Sequence, residues 1–325
     1  MPVGMRPLAW TRAAKSLGWI WVIDGLLQLQ PSQFSSNFAV TIEMNSMAQP
    51  PLVAHLELLV GHFVDSHPAP WTVLIGAVQV LLGAGMLVSR SCRVALAASI
   101  AWALAVWAIG EGFGSVATGF ALAQTGAPGA ALVYALIAGV LLAKRSQNGA
   151  VRLRVMLRGV WTMLWLAAAA LQLGSPISRS LVLRANFDEA AAGEPGILAS
   201  LDHHLAGFAS SHATGVTAVM VVIDVCLALL PWRSARRSAL WASLGVLALG
   251  WVVGENLGGL LTWSANDVGV APIFALIAFA SFPTGNPHRK IAGASTDENI
   301  PGKSIYEASL IGVSGSKSAT KPTFP

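Results

Sequence analysis

Apolar residues are clustered along the chain in eight runs, most of which approach the length needed to cross a lipid bilayer. A membrane-spanning helix needs roughly 17–25 predominantly apolar residues. The runs are separated by basic or polar segments and occupy residues 16–31, 71–89, 94–113, 127–143, 159–174, 213–231, 236–257 and 268–283. The pattern therefore predicts an all-α membrane protein with eight transmembrane helices.

The eight runs fall into two sets of four that match at a fixed offset of 144 residues. Trp21 corresponds to Trp165, and Pro128 corresponds to Pro272. Because each set has an even number of spans, both sets enter the membrane in the same direction, as parallel repeats do. We predict a first four-helix repeat at 1–143, a basic cytoplasmic linker at 144–158, a second repeat at 159–283 and a disordered cytoplasmic tail at 284–325.

A motif with a glutamate near the end of an apolar run occurs once in each half. Its positions are Trp107, Gly110, Glu111, Gly114 and Thr118 in the first half, and Trp251, Gly254, Glu255, Gly258 and Thr262 in the second. The shared spacing would place all five positions on one stripe of an α-helix. The Trp and Gly residues are predicted to form a helix-packing face, because small residues let helices approach closely.

Carboxylates within the predicted spans are the main candidates for chemistry. An ionisable side chain in hydrocarbon is costly, so it suggests a functional site by default. We predict ion or proton binding at Asp24, Glu111, Asp224 and Glu255. The alternative is a protonated side chain that only hydrogen-bonds across helices. Polar residues predicted to line the same path are Gln28, Gln172, Thr118 and Thr262.

Each half also carries a long polar segment between its first two spans, at 32–70 and 175–212. Residues 51–66 and 196–211 within them are amphipathic and too short to span, which is typical of helices at a membrane interface. We predict that they cap the bundle from outside. These segments hold the histidines considered as metal ligands, although their spacing does not suit a single ion: His55, His62, His203 and His204.

Composition supports the membrane interpretation and orients the chain. Only 11% of residues are charged, against about a quarter in soluble proteins. With the amino terminus inside, every Lys and Arg except Arg179 and Arg184 falls on the cytoplasmic side, as the positive-inside rule requires. We therefore predict an inner (plasma) membrane protein with both termini cytoplasmic. The net charge of +5 favours anionic lipid heads, not nucleic acid, as its counterpart.

Three sequence segments resemble a family of uncharacterised conserved bacterial polytopic membrane proteins. They are Asp24-Gly-Leu-Leu-Gln-Leu-Gln-Pro31, Trp107-x-x-Gly-Glu-Gly112 and Thr125-Gly-Ala-Pro-Gly129, and the likeness covers residues 17–283. The resemblance implies topology but no activity. In architecture alone, the four-span halves look faintly like the DoxX group of redox-associated membrane proteins. The outline is also similar to haem A synthase, but this chain lacks the histidines within spans that would bind haem.

These observations favour a carrier that moves a small solute, ion or proton through the interface between the repeats. An accessory or assembly subunit of a membrane redox or envelope complex is the alternative, and a membrane enzyme with an outer-face site is the third. The chain has no phosphate-binding glycine loop, HExxH or Gly-x-Ser-x-Gly motif, and no cofactor is predicted. Expected partners are the lipid bilayer and either a second membrane protein or another copy of this chain.

Overall fold

The structure is a computed structural model that describes residues 8–143, 149–175, 177–233 and 237–282. Across these ranges the regular secondary structure is helical, with no strand. The predicted all-α class is therefore confirmed. The predicted tail at 284–325 and residues 144–148 of the predicted linker lie outside the described residues.

The described α-helices are numbered in chain order. They are α1 (Leu8–Leu27), α2 (Ser36–Asn45), α3 (Pro51–Asp65), α4 (Pro68–Leu87), α5 (Cys92–Ala105), α6 (Ala130–Leu142), α7 (Gly149–Gly174), α8 (Arg179–Ala190), α9 (Gly196–Ser211), α10 (Ala213–Arg233), α11 (Arg237–Val253) and α12 (Val270–Ser281). Short 3₁₀ or π segments lie at Pro31–Phe34, Val106–Gly110, Gly112–Ser115, Ala123–Thr125 and Asn256–Thr262.

In the described part of the chain, four helical segments are long and apolar enough to cross a membrane: Pro68–Leu87, Cys92–Gly110, Val151–Gly174 and Ala213–Arg233. A fifth is reached if α11 and Asn256–Thr262, which meet at 44°, form one broken span. These helices are consistent with a multi-pass membrane protein. The eight predicted spans are not confirmed.

Part of the shortfall arises because hydropathy also counts apolar residues that lie in loops. Helices α6 and α12 have only 13 and 12 residues, or about 18–20 Å at 1.5 Å per residue. A hydrocarbon core is roughly 30 Å thick. Conversely, α7 begins at Gly149, inside the segment predicted as a linker, and continues to Gly174.

Helices α1 and α4 are in close backbone contact. A Cβ at Gly25 would lie 2.7 Å from the Gly76 carbonyl oxygen, and a Cβ at Gly76 would lie 2.9 Å from that of Gly25. Helices α7 and α10 make the corresponding pair with larger side chains, where Trp161 donates its indole N–H to the Leu227 carbonyl at 2.6 Å. Small residues at the α1–α4 contact are typical of helix packing in membranes.

The predicted amphipathic segments are helical. They form α3 and α9, which pack against the neighbouring helices α2 and α8 respectively. The pairs α2–α3 and α8–α9 are the first and second cap pairs. Helix formation in these segments was expected from their periodicity, and that part of the prediction is confirmed.

The predicted helical stripe over 107–118 and 251–262 is wrong. Helix α5 runs into a π turn at Val106–Gly110 and then stops, and α11 stops at Val253. In both segments the residues that follow adopt a left-handed backbone conformation. The five motif positions consequently do not share one helix face, because the glycines permit a conformation that an α-helix does not contain.

Candidate functional site

Two left-handed turns follow the motif glutamates. Residues 112–115 have φ between 51° and 59°, and residues 256–259 have φ between 50° and 71°. Each glutamate donates its backbone N–H to the carbonyl five residues earlier, Glu111 to Val106 and Glu255 to Gly250, both at 3.0 Å. Left-handed backbone costs roughly 1–2 kcal/mol for each residue other than glycine. The surrounding contacts must hold these turns in place.

Glu111 binds the start of α6. The Ala131 N–H donates to Glu111 Oε1 at 2.9 Å and to Oε2 at 3.2 Å. The first N–H groups of a helix have no partner within the helix, and their partial positive charge favours a carboxylate. Beside it, the Trp107 indole N–H donates to the Pro128 carbonyl at 2.7 Å. The first motif therefore fixes the start of a short apolar helix.

Glu255 makes the same kind of contact with α12. The Val270 and Ala271 N–H groups donate to its Oε2 at 2.7 and 3.2 Å. The Trp251 indole N–H donates to the Val268 carbonyl at 2.9 Å. Both motif glutamates thus cap a helix from a distant segment. Sequence spacing could not reveal this role, because the helices begin 15 to 20 residues later.

One motif glycine in each turn packs against the loop that precedes the capped helix. A Cβ at Gly114 would overlap the Pro128 carbonyl group, and a Cβ at Gly258 would lie 2.7 Å from the Val268 carbonyl oxygen. Gly254 abuts the Gln124 carbonyl in the same way, whereas the nearest neighbour of a Cβ at Gly110 is a Val106 methyl at 3.4 Å. Close approach is therefore a property of three of the four motif glycines.

Glu111 and Glu255 line one cavity of about 370 Å³. It lies between the loops that follow the two turns. Further polar residues that line it are Ser115, Thr125, Asn186, Glu189, Asn256 and Asp267. Among the lining residues that the structure describes there is no Lys or Arg. The cavity is acidic, and it unites the two motif carboxylates.

Asp24 and Asp224 lie outside that lining and have partners of their own. Asp24 accepts a short hydrogen bond from the Tyr134 hydroxyl and a 3.1 Å bond from the Val268 N–H. Asp224 accepts from the Gln172 amide at 2.6 Å and from the Gln124 amide at 3.2 Å. Both aspartates are buried. The structure therefore brings the four predicted carboxylates into three different environments.

Three of the four remaining predicted lining residues belong to local hydrogen-bond networks. Gln172 binds Asp224, while Gln28 is buried and its Nε2 has no partner in the described part of the chain. Thr118 donates to the Ser115 carbonyl at 2.8 Å, and Thr262 donates to the Gly259 carbonyl at 2.7 Å. Each threonine thus binds the last carbonyl of its left-handed turn. None of the four is among the described residues that line the cavity.

Hydrogen bonds join each half of the chain to loop carbonyls of the other half. Ser32 donates to the Trp263 carbonyl at 2.7 Å, and Gln33 donates to the Ser264 carbonyl at 2.6 Å. In the opposite direction, Ser175 donates to the Gly119 carbonyl at 2.7 Å, and Asn186 donates to the Phe120 carbonyl at 3.0 Å. The acceptors Trp263 and Ser264 lie 144 residues after the acceptors Gly119 and Phe120. The exchange is reciprocal.

The first cap pair contacts the first turn through polar side chains. In the first cap pair, Asn45 donates to the Gly110 carbonyl at 2.7 Å and Gln49 donates to the Gly112 carbonyl at 2.6 Å. Glu57 lies next to Gly112 and is fully buried, and this burial raises its pKa to about 7.

The second cap pair has two carboxyl groups in contact, Glu194 and Asp202. Burial, reinforced by Asp202, raises the pKa of Glu194 to about 7. Burial also raises the pKa of Asp202. Two carboxyl groups can hydrogen-bond only when they share a proton. Burial and mutual repulsion thus favour the protonated form of these neighbouring carboxyl groups.

The four candidate histidines are exposed. His203 Nδ1 lies 3.0 Å from Asp188 Oδ1, and His204 Nδ1 donates to the Ser200 carbonyl at 2.5 Å. In the described ranges no group of three or more His, Cys, Asp or Glu side chains is arranged to hold a metal ion. His55 and His62 project from α3. The predicted metal ligands are not brought together.

Several residues of the site escaped the sequence prediction. Asp267 lies in a loop and accepts the Gly269 N–H at 2.7 Å, a turn contact that its Asp-x-Gly pattern could have indicated. Asn186, Gln124 and Tyr134 carry no periodic signal, because their partners lie 61 to 110 residues away. Comparisons of the chain with protein-family models, curated proteins and solved structures give no match.

Proposed function

We propose that the protein is a carrier of a small solute or cation, and that the cavity between Glu111 and Glu255 is its binding site. The observation that carries the proposal is the convergence of both glutamates and Asp267 on one cavity, with no Lys or Arg among its described lining. An acidic cavity without basic side chains in a membrane protein attracts cations, and such groups mark ion or substrate pathways.

The proposed architecture has eight spans in two parallel four-helix repeats. The hydrogen bonds between the halves support it, because equivalent acceptors, the Trp263 and Gly119 carbonyls, are bound in both directions. Helices α6 and α12 are then the short parts of discontinuous spans. In many carriers such half-helices direct their N-termini at the substrate site, and irregular backbone at membrane depth is tolerated where it lines a cavity.

The proposed location is the inner (plasma) membrane, with both termini in the cytoplasm. Reporter fusions test this topology. A reporter inserted within 144–148 or attached to the tail is expected to report a cytoplasmic position, and one inserted at 46–50 or 192–195 an outer position. Opposite signals from the two cap segments would contradict the parallel arrangement, and cytoplasmic signals from both would contradict the proposed orientation.

Transport is tested with the purified full-length protein in lipid vesicles, measuring fluxes of protons, Na⁺, K⁺ and small organic cations. We expect Glu255→Gln to lower the flux of the carried species about tenfold, the effect of losing one charged contact of about 1.4 kcal/mol. Asp65→Asn, an exposed carboxylate on α3, is the matched control and should retain flux. Unchanged flux in Glu111→Gln, Glu255→Gln and Asp267→Asn would rule out the carrier.

An accessory subunit is the second candidate, and a separate observation favours it. All four embedded carboxylates accept hydrogen bonds from the protein itself, so helix assembly alone explains their presence. This function predicts a stable partner after mild extraction from native membranes. Isolation of a monodisperse, partner-free protein that transports a cation would exclude it in favour of the carrier.

A further inference from the structure

The charges around the cavity are only partly compensated. Glu111 and Glu255 face the positive N-termini of α6 and α12 through direct hydrogen bonds. Glu189 and Asp267 also line the cavity, and neither forms an ion pair with a described Lys, Arg or His. A helix N-terminus carries about half a positive charge. With all four carboxylates ionised, the cavity therefore retains an excess of about three negative charges.

The cavity suits an organic ligand better than a bare ion. Its volume of about 370 Å³ lies at the lower end of the roughly 300–1,000 Å³ of small-molecule sites. The carboxylates that line it are too dispersed for one metal, since no three acidic, His or Cys side chains of the described residues converge on a point. Separated negative charges fit a cation whose own charges are separated.

Asn256 supplies an independent sign of a ligand. It is only 8% exposed, it lines the cavity, and its Oδ1 has no hydrogen-bond partner among the described residues. A buried amide oxygen without a partner costs free energy unless a donor reaches it. In the first half, Gly112 stands at the corresponding position. The second half thus places an acceptor where the first half has none.

The lining also distinguishes between kinds of organic cation. Quaternary ammonium groups are bound by aromatic cages, but Phe120 is the one aromatic residue among the described lining. The other polar groups are carboxylates, amides and hydroxyls, which accept hydrogen bonds. A primary ammonium group offers three N–H donors and matches this set.

We propose that the cavity binds an aliphatic diamine, with one ammonium group near Asp267 and Asn256 and the other near Glu189. The inference rests on the proposed function only in taking this cavity as the binding site, and it adds the class of ligand. Asn256 then determines specificity by accepting an N–H from the bound ammonium.

Binding is tested by calorimetry on the purified full-length protein in detergent with 1,4-diaminobutane. The comparison ligands are butylamine, the permethylated diamine, Na⁺ and Ca²⁺. We expect the diamine to bind at least tenfold more tightly than butylamine, and the permethylated diamine to bind no better than Na⁺. Equal binding of the permethylated diamine, or of Ca²⁺, would overturn the inference.

Two variants locate the ligand. Asn256→Gly restores the residue of the first half and suits the positive φ of 50°, so it should fold and weaken diamine binding about tenfold. Glu189→Gln, at an exposed position, should weaken it by a similar factor, whereas Asp65→Asn should not. Unchanged binding in both cavity variants would refute the site. Diamine binding without any flux would contradict the carrier proposal and support diamine binding. Flux of another cation without diamine binding would support the carrier proposal and contradict diamine binding.

Discussion

The two left-handed turns have the same backbone but different polar surroundings. The first contains Gly112 and is held by neutral amides of the first cap pair. The second contains Asn256, and its cap pair holds the carboxyl pair Glu194 and Asp202. The common features, a helix-capping glutamate and glycines against a carbonyl, build the scaffold. The first turn also has a titrating carboxyl group beside it, Glu57, so the clearest difference is Asn256 in place of Gly112, and we expect ligand binding to follow the second turn.

The largest effect is expected from the glycines that the turns share. Gly114→Ala and Gly258→Ala combine left-handed strain with overlap of a carbonyl group, which together cost roughly 2–5 kcal/mol. Gly114→Ala should be the more damaging, because its Cβ comes closer to the neighbouring backbone. Thermal unfolding in detergent measures both.

Gly139→Ala on α6 is the control for these variants, since a Cβ there meets nothing within 4 Å. It is expected to stabilise by about 0.5–1 kcal/mol, as alanine does in a helix. If Gly114→Ala and Gly139→Ala unfolded at the same temperature, the turn geometry would be wrong.

The capping glutamates should respond to neutralisation by different amounts. Glu111 engages the Ala131 N–H with both oxygens, whereas Glu255 uses Oε2 alone. A glutamine can supply only one acceptor oxygen. We expect Glu111→Gln to cost roughly 1–2 kcal/mol and Glu255→Gln less than about 1 kcal/mol. Hydrogen exchange of the Ala131 and Val270 amides measures the stability of each cap. Equal losses of protection in the two variants would show that the two caps do not differ in strength.

The fold class and the helical cap segments follow from the sequence because periodicity and hydropathy are local properties. The motif positions were also found from the sequence, yet their conformation was predicted wrongly. Spacings of 3, 4 and 7 residues fit a helix, and the glycines that break it fit a helix notch equally well. The long-range contact of Gly114 with the Pro128 carbonyl is what distinguishes a left-handed turn from a helix with a glycine notch. Asp267 and Asn256 could not be chosen beforehand, since folding creates the cavity that they line.

The cap pairs should give the protein a pH-dependent stability. The pKa of Glu194 is about 7 in the fold, against an ordinary value of 4.5, so the folded state binds more protons between those values. The free energy of unfolding is therefore highest below about pH 4.5 and falls as the pH rises towards 7. Glu57 contributes in the same direction. The charged groups nearest Asp202 are Glu194 and His203, and His203 pairs with Asp188, which also pairs with Arg184.

The pH dependence of stability distinguishes the contributions of the two cap pairs. Unfolding temperatures between pH 4.5 and 8 should decline by a few degrees, and Glu194→Gln should flatten the decline more than Glu57→Gln. The reason is that Glu194→Gln removes one titrating group and supplies Asp202 with a permanent N–H donor. A steeper decline in Glu194→Gln would show that the carboxyl pair does not hold a proton.

The smallest expected difference concerns the threonines that close the turns. Thr118 is 9% exposed and accepts the Phe120 N–H at 3.0 Å while donating to Ser115. Thr262 makes the equivalent contacts with Ser264 and Gly259, but it is more exposed. Replacing a hydroxyl by a methyl leaves a buried carbonyl unsatisfied, whereas an exposed one finds water. Thr118→Val should therefore cost about 1 kcal/mol and Thr262→Val about half as much, as measured by thermal unfolding. A larger loss at Thr262 would indicate that the second turn is the more deeply enclosed of the two, contrary to the proposal that it faces a ligand.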